Sequence, residues 1–247
     1  FVDKTARVLE KMLQSVFSSE EVCVVYGDHH IAQHLLQKPW NHIHFTGSTP
    51  VGKIVMKAAA EHLSSVTLEL GGKSPNIILD DADLEKAIPA SVNHCFLNSG
   101  QSCNSPTRML VHESVYDQAV EIAKNFAETL KTGDPFEEGV QLGPISNKTQ
   151  YEKVQRLIQV GIDEGARLVC GGVGRPDGLN EGYFTKPTIF ADVTNEMTIA
   201  REEVFGPVLC MIKYSNEDEA ITIANDTPYG LAGYVQSTNP EHARKVA

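Results

Sequence analysis

Apolar residues recur at helical spacing near the start of the chain, at Val8, Leu9, Met12, Leu13, Val16 and Phe17, and predict an amphipathic helix. The β-branched run over 21–27, EVCVVYG, follows as an expected buried strand closed by Gly27. The same beat repeats with a helix over 31–38, a strand over 42–47, a helix over 50–63 with Pro50 in its first turn, and a strand over 66–70. Such alternation predicts an α/β fold with a parallel sheet. At Gly71 the punctuation changes and a second unit is expected. Its elements are a helix over 85–97, a strand over 107–113, helices over 115–130 and 147–164, and a strand over 167–172. A Gly-rich loop over 171–182, strands over 187–190 and 207–214, a helix over 217–225, a strand over 229–237 and a helix beginning at 239 complete it. No motif repeats with a period that would mark a solenoid.

Composition narrows the class. With 247 residues, 41% of them hydrophobic and 21% charged, the chain has material for a packed core, and disordered or fibrous classes are excluded. The net charge of −11 leaves no basic groove for nucleic acid and no polybasic membrane anchor. The apolar runs are too short to span a bilayer, and none reads as a signal peptide. Five cysteines form an odd set whose spacing fits neither a disulfide framework nor a zinc knuckle, so a reducing, cytoplasmic setting is expected. Both ends fall inside amphipathic patterns, and an internal fragment is expected.

Four strings carry candidate chemistry. In FTGSTPVGK, Gly47 permits a tight turn, Ser48 or Thr49 offers a helix cap, and the first-turn N–H groups suit a phosphate, although a plain capped helix would read the same way. Glu69 ends the strand VTLEL before Gly71 and Gly72, a place where open α/β sheets hold ligands, or where a carboxylate is simply solvated. Cys103 lies in NSGQSCNSPTR among Gln, Ser and Asn, where a packing cysteine has little to pack against, whereas Cys23, Cys95, Cys170 and Cys210 occupy apolar stretches. A free thiol near pKa 8.5 is only about 3% thiolate at pH 7, so a nucleophilic role needs a field that favours the anion. In REEVFGPVL, a carboxylate two residues before an aromatic could hold a ribose diol and flank a flat ring, or merely open a buried strand. The histidines, including His29, His30 and His34, lack an evident third or fourth ligand beyond Asp28, and no metal is expected.

Glu69 and Cys103, 34 residues apart, complete a pattern that resembles the aldehyde dehydrogenase superfamily of NAD(P)-dependent enzymes. The strings FTGSTPVGK, LELGGKSPNIILDDADL, NSGQSCNSPTR, EEVFGPV and ANDTPYGLAGYV stand in the family's order, and the stretch from Lys38 to Pro75 looks closest to class-3-like and bacterial members. The resemblance implies the nucleophile at Cys103 and the general base at Glu69. It implies cofactor contacts at Gly47, Ser48, Thr49, Pro50, Val51, Gly52 and Leu70, with the ribose-binding pair at Glu203 and Phe205. It further implies part of a Rossmann-like, parallel-sheet cofactor domain over 1–70 and an α/β catalytic domain over 71–247, truncated at its C-terminus. The implied reaction is oxidation of an aldehyde to a carboxylic acid with NAD or NADP through a thiohemiacetal and a thioester. The implied whole subunit is a homodimer or homotetramer of about twice this length. The family's upstream oxyanion Asn and cofactor Lys fall outside the sequence, so an inactive fragment is one alternative. A cysteine-dependent esterase or acyltransferase pairing Cys103 with a histidine such as His94 is another.

Overall fold

The computed structural model describes residues 2–247, and its contacts divide the chain into two compact units, Phe1–Leu70 and Gly71–Ala247. In the first, α1 (Asp3–Gln14) takes up the amphipathic start, yet none of its residues is buried. Residues 22–26 alternate between half-buried and exposed but find no ladder partner among the described residues, which corrects the expectation of a buried strand over 21–27. An extended run becomes a strand only through a ladder partner. Among the described residues, the sheet of this unit holds only β1 (His42–Gly47) and β2 (Ser65–Leu70). Before them, α2 (His29–Leu36) is capped by Asp28, whose carboxylate accepts the His30 N–H at 2.9 Å. β1 and β2 run parallel, with Thr46 opposite Glu69 and Gly47 opposite Leu70. The crossover between them is α3 (Thr49–Glu61), which buries Gly52, Val55 and Ala59, residues three and four apart on one face.

The second unit is built on a six-stranded sheet. Its strands are β3 (Pro75–Ile78), β4 (Arg108–His112), β5 (Arg167–Cys170), β6 (Thr188–Ala191), β7 (Val208–Tyr214) and β8 (Tyr234–Gln236), in the order β5-β6-β7-β4-β3-β8. All neighbours are parallel except β5, which pairs antiparallel with β6 at the edge and is interrupted by a register shift between Leu168 and Cys170. The strand expected over 229–237 contracts to β8, because residues 229–233 find no ladder partner among the described residues.

Alternation along the strands divides the core in two. Ile77, Leu110, Phe190, Cys210 and Ile212 face one layer with α6 (Lys148–Asp163), α7 (Thr198–Arg201) and α8 (Glu217–Asn225). Ile78, Met109, Val111, Ile189, Leu209 and Met211 face the other with α4 (Leu84–Phe96) and α5 (Tyr116–Glu128). The last helix, α9 (Pro240–Val246), is capped by Asn239, which accepts the N–H groups of Glu241 and His242. Among the described residues no helix is long and apolar enough to cross a membrane.

Candidate active site

The strand ends of the first unit bring part of the expected cofactor segment beside the expected base. Gly47 and Leu70 are ladder partners, and Glu69 stands exposed one residue before the end of β2 with half-buried Leu68 and Leu70 on either side. Gly52 lets α3 lie close to β2, since a Cβ there would come within 2.7 Å of Leu70 Cδ2 and the leucine would have to shift. Ser48 occupies the cap position of α3, but neither it nor Thr49 makes a side-chain capping bond, so the expected hydroxyl cap is absent. Pro50 carries no N–H, and the first intrahelical bond runs from the Gly52 N–H to the Ser48 carbonyl at 2.9 Å. The N–H groups of Thr49 and Val51 therefore precede any helical acceptor.

In the second unit, four loops meet at the amino ends of four adjacent strands. They are 71–74 before β3, 101–107 before β4, 202–207 before β7 and 227–233 before β8. Glu203 accepts the Gly72 N–H at 3.1 Å. A Cβ on Gly71 would fall 1.9 Å from a Glu203 carboxylate oxygen, so the glycine makes room for that side chain. Gly72 lies in turn against the Cys103 carbonyl, 3.9 Å from where its Cβ would be. Burial pushes the Glu203 carboxyl above its ordinary range, opposed by the Gly72 bond and by Lys153 and Lys73.

Phe205 adopts φ +54°, a left-handed conformation that costs a non-glycine residue about 1–2 kcal/mol. Residues of α6 hold it there. Gln150 donates to the Val204 and Phe205 carbonyls at 2.8 and 3.0 Å, and Lys153 donates to the Glu203 carbonyl at 2.7 Å. No motif in the sequence singled out these two side chains, because their partners are backbone atoms some 50 residues away.

Cys103 is exposed at the tip of a turn with Asn104. Its N–H has no acceptor among the described residues. The approach to it is unusual: Asn98, Ser99 and Gly100 are all left-handed, at φ +53°, +57° and +71°. Ser99 is tied to the Gly143 carbonyl at 2.8 Å, and Gly100 abuts the Gly206 carbonyl with no room for a side chain. Beyond the turn, Arg108 is fully buried and donates to the carbonyls of Lys73 (2.8 Å), Ile223 (2.8 Å) and Ala224 (2.7 Å) and to Asn195 Oδ1 (2.9 Å). Lys73, also buried, donates to the Ile199 carbonyl at 2.8 Å. Burial pulls both cations below their usual range, Arg108 to about 10. The two stitch the glycine turn, the Cys103 turn and the helices α7 and α8 into one scaffold.

The other cysteines divide by burial. Cys95 and Cys210 are sealed in the core and their thiols are pushed far up by desolvation, Cys170 is half-buried, and Cys23 is exposed because its stretch forms no strand. His94 packs edge-on against the Tyr234 ring at 5.0 Å. Asp28, His29 and His30 bring potential ligand atoms within 4.8 Å of one another, but all three are exposed and Asp28 already serves as a helix cap.

The aldehyde dehydrogenase family profile matches residues 4–247. Among curated relatives, the 3-succinoylsemialdehyde-pyridine dehydrogenase of a Pseudomonas species is 55% identical over 205 residues, covering 83% of this chain and 43% of that protein. A solved structure of an aldehyde dehydrogenase C mutant from Pseudomonas syringae, in complex with NAD+ and octanal, aligns with a TM-score of 0.89 at 48% identity, over 90% of this chain and 46% of that one. The Mycobacterium tuberculosis aldehyde dehydrogenase in complex with NAD+ aligns with a TM-score of 0.85 at 50% identity, over 87% and 44%. The chain thus spans less than half the length of these relatives. Its α/β architecture with parallel sheets is the one those structures share over that span, and its sequence carries the family's profile nearly end to end; the chain belongs to the aldehyde dehydrogenase family.

Proposed function

We propose that the protein carrying this chain oxidises an aldehyde to the carboxylic acid with NAD+ or NADP+, through a covalent intermediate on Cys103. The observation that carries this reading is the convergence at the amino rim of the second sheet. There an exposed cysteine with an unengaged N–H lies against Gly72, whose own N–H is held by half-buried Glu203. The family relatives solved with NAD+, one of them also with octanal, support the cofactor and the substrate class.

The residues present fit a dinucleotide. Gly47 and Gly52 carry no side chain at either end of the β1–α3 joint, the Thr49 and Val51 N–H groups suit a phosphate, and the Glu203 carboxylate in its glycine cradle suits a ribose diol, with Phe205 two residues on in the same loop. Pro50, Ser48 and the Leu70 backbone complete that set. When bound, the cofactor supplies the acceptor for the hydride lost from the aldehyde carbon. The chain does the rest. The Cys103 thiol gives its proton to solvent and the sulfur bonds to the carbonyl carbon, while the oxygen becomes an oxyanion to which the Cys103 N–H donates. Once the carbon is oxidised to a thioester, Glu69, three residues before Gly72 in the chain, takes a proton from the attacking water. The new C–O bond forms, the C–S bond breaks, and Cys103 is regenerated.

Two variants test this division of labour. Glu69→Gln is expected to keep the first-turnover burst of NADH and lose steady-state turnover by about 10²–10⁴-fold; full steady-state activity in that variant would remove Glu69 from the mechanism. Cys103→Ala is expected to show neither burst nor turnover, and NADH production at the wild-type rate would refute the covalent intermediate.

A further inference from the structure

We infer that Tyr234 is a positioning residue for the Cys103 turn: its phenol fixes the backbone of the turn and thereby the direction in which the thiol is presented. The inference rests on the reading of Cys103 as nucleophile, but its structural core stands on contacts within the second unit. The turn is pinned by side chains upstream and, among the described residues, joins the backbone ladder downstream only at Thr107, whose carbonyl accepts the Cys210 N–H at 2.9 Å. Upstream, Gln101 accepts the Ser146 N–H at 2.8 Å and donates to the Asn98 carbonyl at 3.1 Å. Downstream, Ser105 and Thr107 are buried, but their hydroxyls engage no partner among the described residues, so they do not tether the turn.

Ser102, Cys103 and Asn104 span the gap. Their internal tie is the weak bond from the Ser105 N–H to the Ser102 carbonyl at 3.2 Å. Among the described residues, the side chain that reaches them from elsewhere is Tyr234, whose hydroxyl donates to the Asn104 carbonyl at 3.0 Å.

Tyr234 can act as a fixed post because it is held at both ends of its own side chain. Its backbone lies in β8 opposite Asn76 of β3, and the same register brings the Gln236 amide to Asn76 Oδ1 at 3.2 Å. Asn76 donates onward to Ser91 of α4 at 2.8 Å. The ring itself meets His94 of α4 edge to face, centroids 5.0 Å apart. Since α4 is the helix that leads into the 97–107 segment, the post and the turn share one foundation. Burial, with Cys103 close by, raises the phenol above its ordinary range, so it remains an O–H donor across the working pH.

The proposal is tested with Tyr234→Phe, which keeps the ring and removes the donor. Amide exchange in peptide 101–107 is expected to quicken by about two- to tenfold, the change that one hydrogen bond supports, while β4 and β7 exchange as in the wild type. In turnover assays kcat is expected to fall by about tenfold or more with both KM values within about twofold, as misorientation of a nucleophile predicts. His94→Ala loosens the ring but leaves the hydroxyl, and is expected to quicken exchange in the same peptide by less. Wild-type exchange at 101–107 in both variants overturns the proposal, as does a rise spread evenly over the second unit. These outcomes are separable from failure of the functional reading, which shows as NADH turnover in Cys103→Ala whatever the exchange pattern of Tyr234→Phe.

Discussion

Two glycines on the amino rim make opposite predictions from the same substitution. At Gly71 an added Cβ meets the far end of the Glu203 side chain, which can swing away. Gly71→Ala is therefore expected to leave thermal unfolding nearly unchanged and to weaken NAD+ binding by about tenfold, the loss of one charge-assisted bond, as measured by calorimetric titration. At Gly100 the Cβ would meet the Gly206 backbone carbonyl 2.1 Å away, at a left-handed φ of +71°. Gly100→Ala is expected to destabilise by more than about 2 kcal/mol in denaturant unfolding, because neither backbone can yield. At this scale the sequence displays a residue when its chemistry clashes with its neighbours. Cys103 stood out because Gln, Ser and Asn offer a thiol nothing to pack against. Tyr234, Gln150, Lys73 and Arg108 did not stand out, since each acts on a backbone carbonyl that only the folded chain brings near.

Among the elements, those that carry their own periodicity and caps were legible. The helix expected over 147–164 appears as α6 with Asn147 accepting the Gln150 N–H, and the strand expected over 207–214 appears as β7. Residues 21–27 read as a strand because β-branched composition marks willingness to pair, and nothing in composition states whether a partner exists. The short edge strand β8 depends likewise on β3 for its limits.

The last helix carries a pH dependence of its own. His242 of α9 sits between Glu217 of α8 at 2.6 Å and Asp81 of the β3–α4 loop at 3.4 Å, and these two carboxylates raise its pKa above the ordinary 6.5. A histidine whose folded pKa is raised contributes stability that is full below its unfolded pKa and lost as pH rises through the folded one. Amide protection of α9 is thus expected to decline from pH 6 upward in the wild type and to stay flat in His242→Gln; parallel profiles would remove His242 as the cause.

For the molecule as a whole, burial is unevenly shared. Between residues 2 and 70 only Gly52, Val55 and Ala59 are buried, whereas the second unit has a core on each face of its sheet. Hydrogen exchange is expected to show β1 and β2 opening at lower free energy than β4 and β7, since local stability follows buried apolar contact. Equal protection in both sheets would contradict that ordering.

Placement of the chemistry at the amino ends of β3, β4, β7 and β8 has an electrostatic consequence. In a parallel sheet the crossover helices run against the strands, so the segments that enter this rim descend from helix carboxyl ends, α4 ahead of β4 and α8 ahead of β8. Such ends present carbonyls and about half a negative charge each, the reverse of the pole that greets a phosphate. Arg108 places its guanidinium on the terminal carbonyls of α8, and Lys73 its ammonium on a carbonyl of α7. Arg108 thus sets a buried positive charge against the negative pole of α8, and a neutral residue there would leave those two carbonyls without their charged donor.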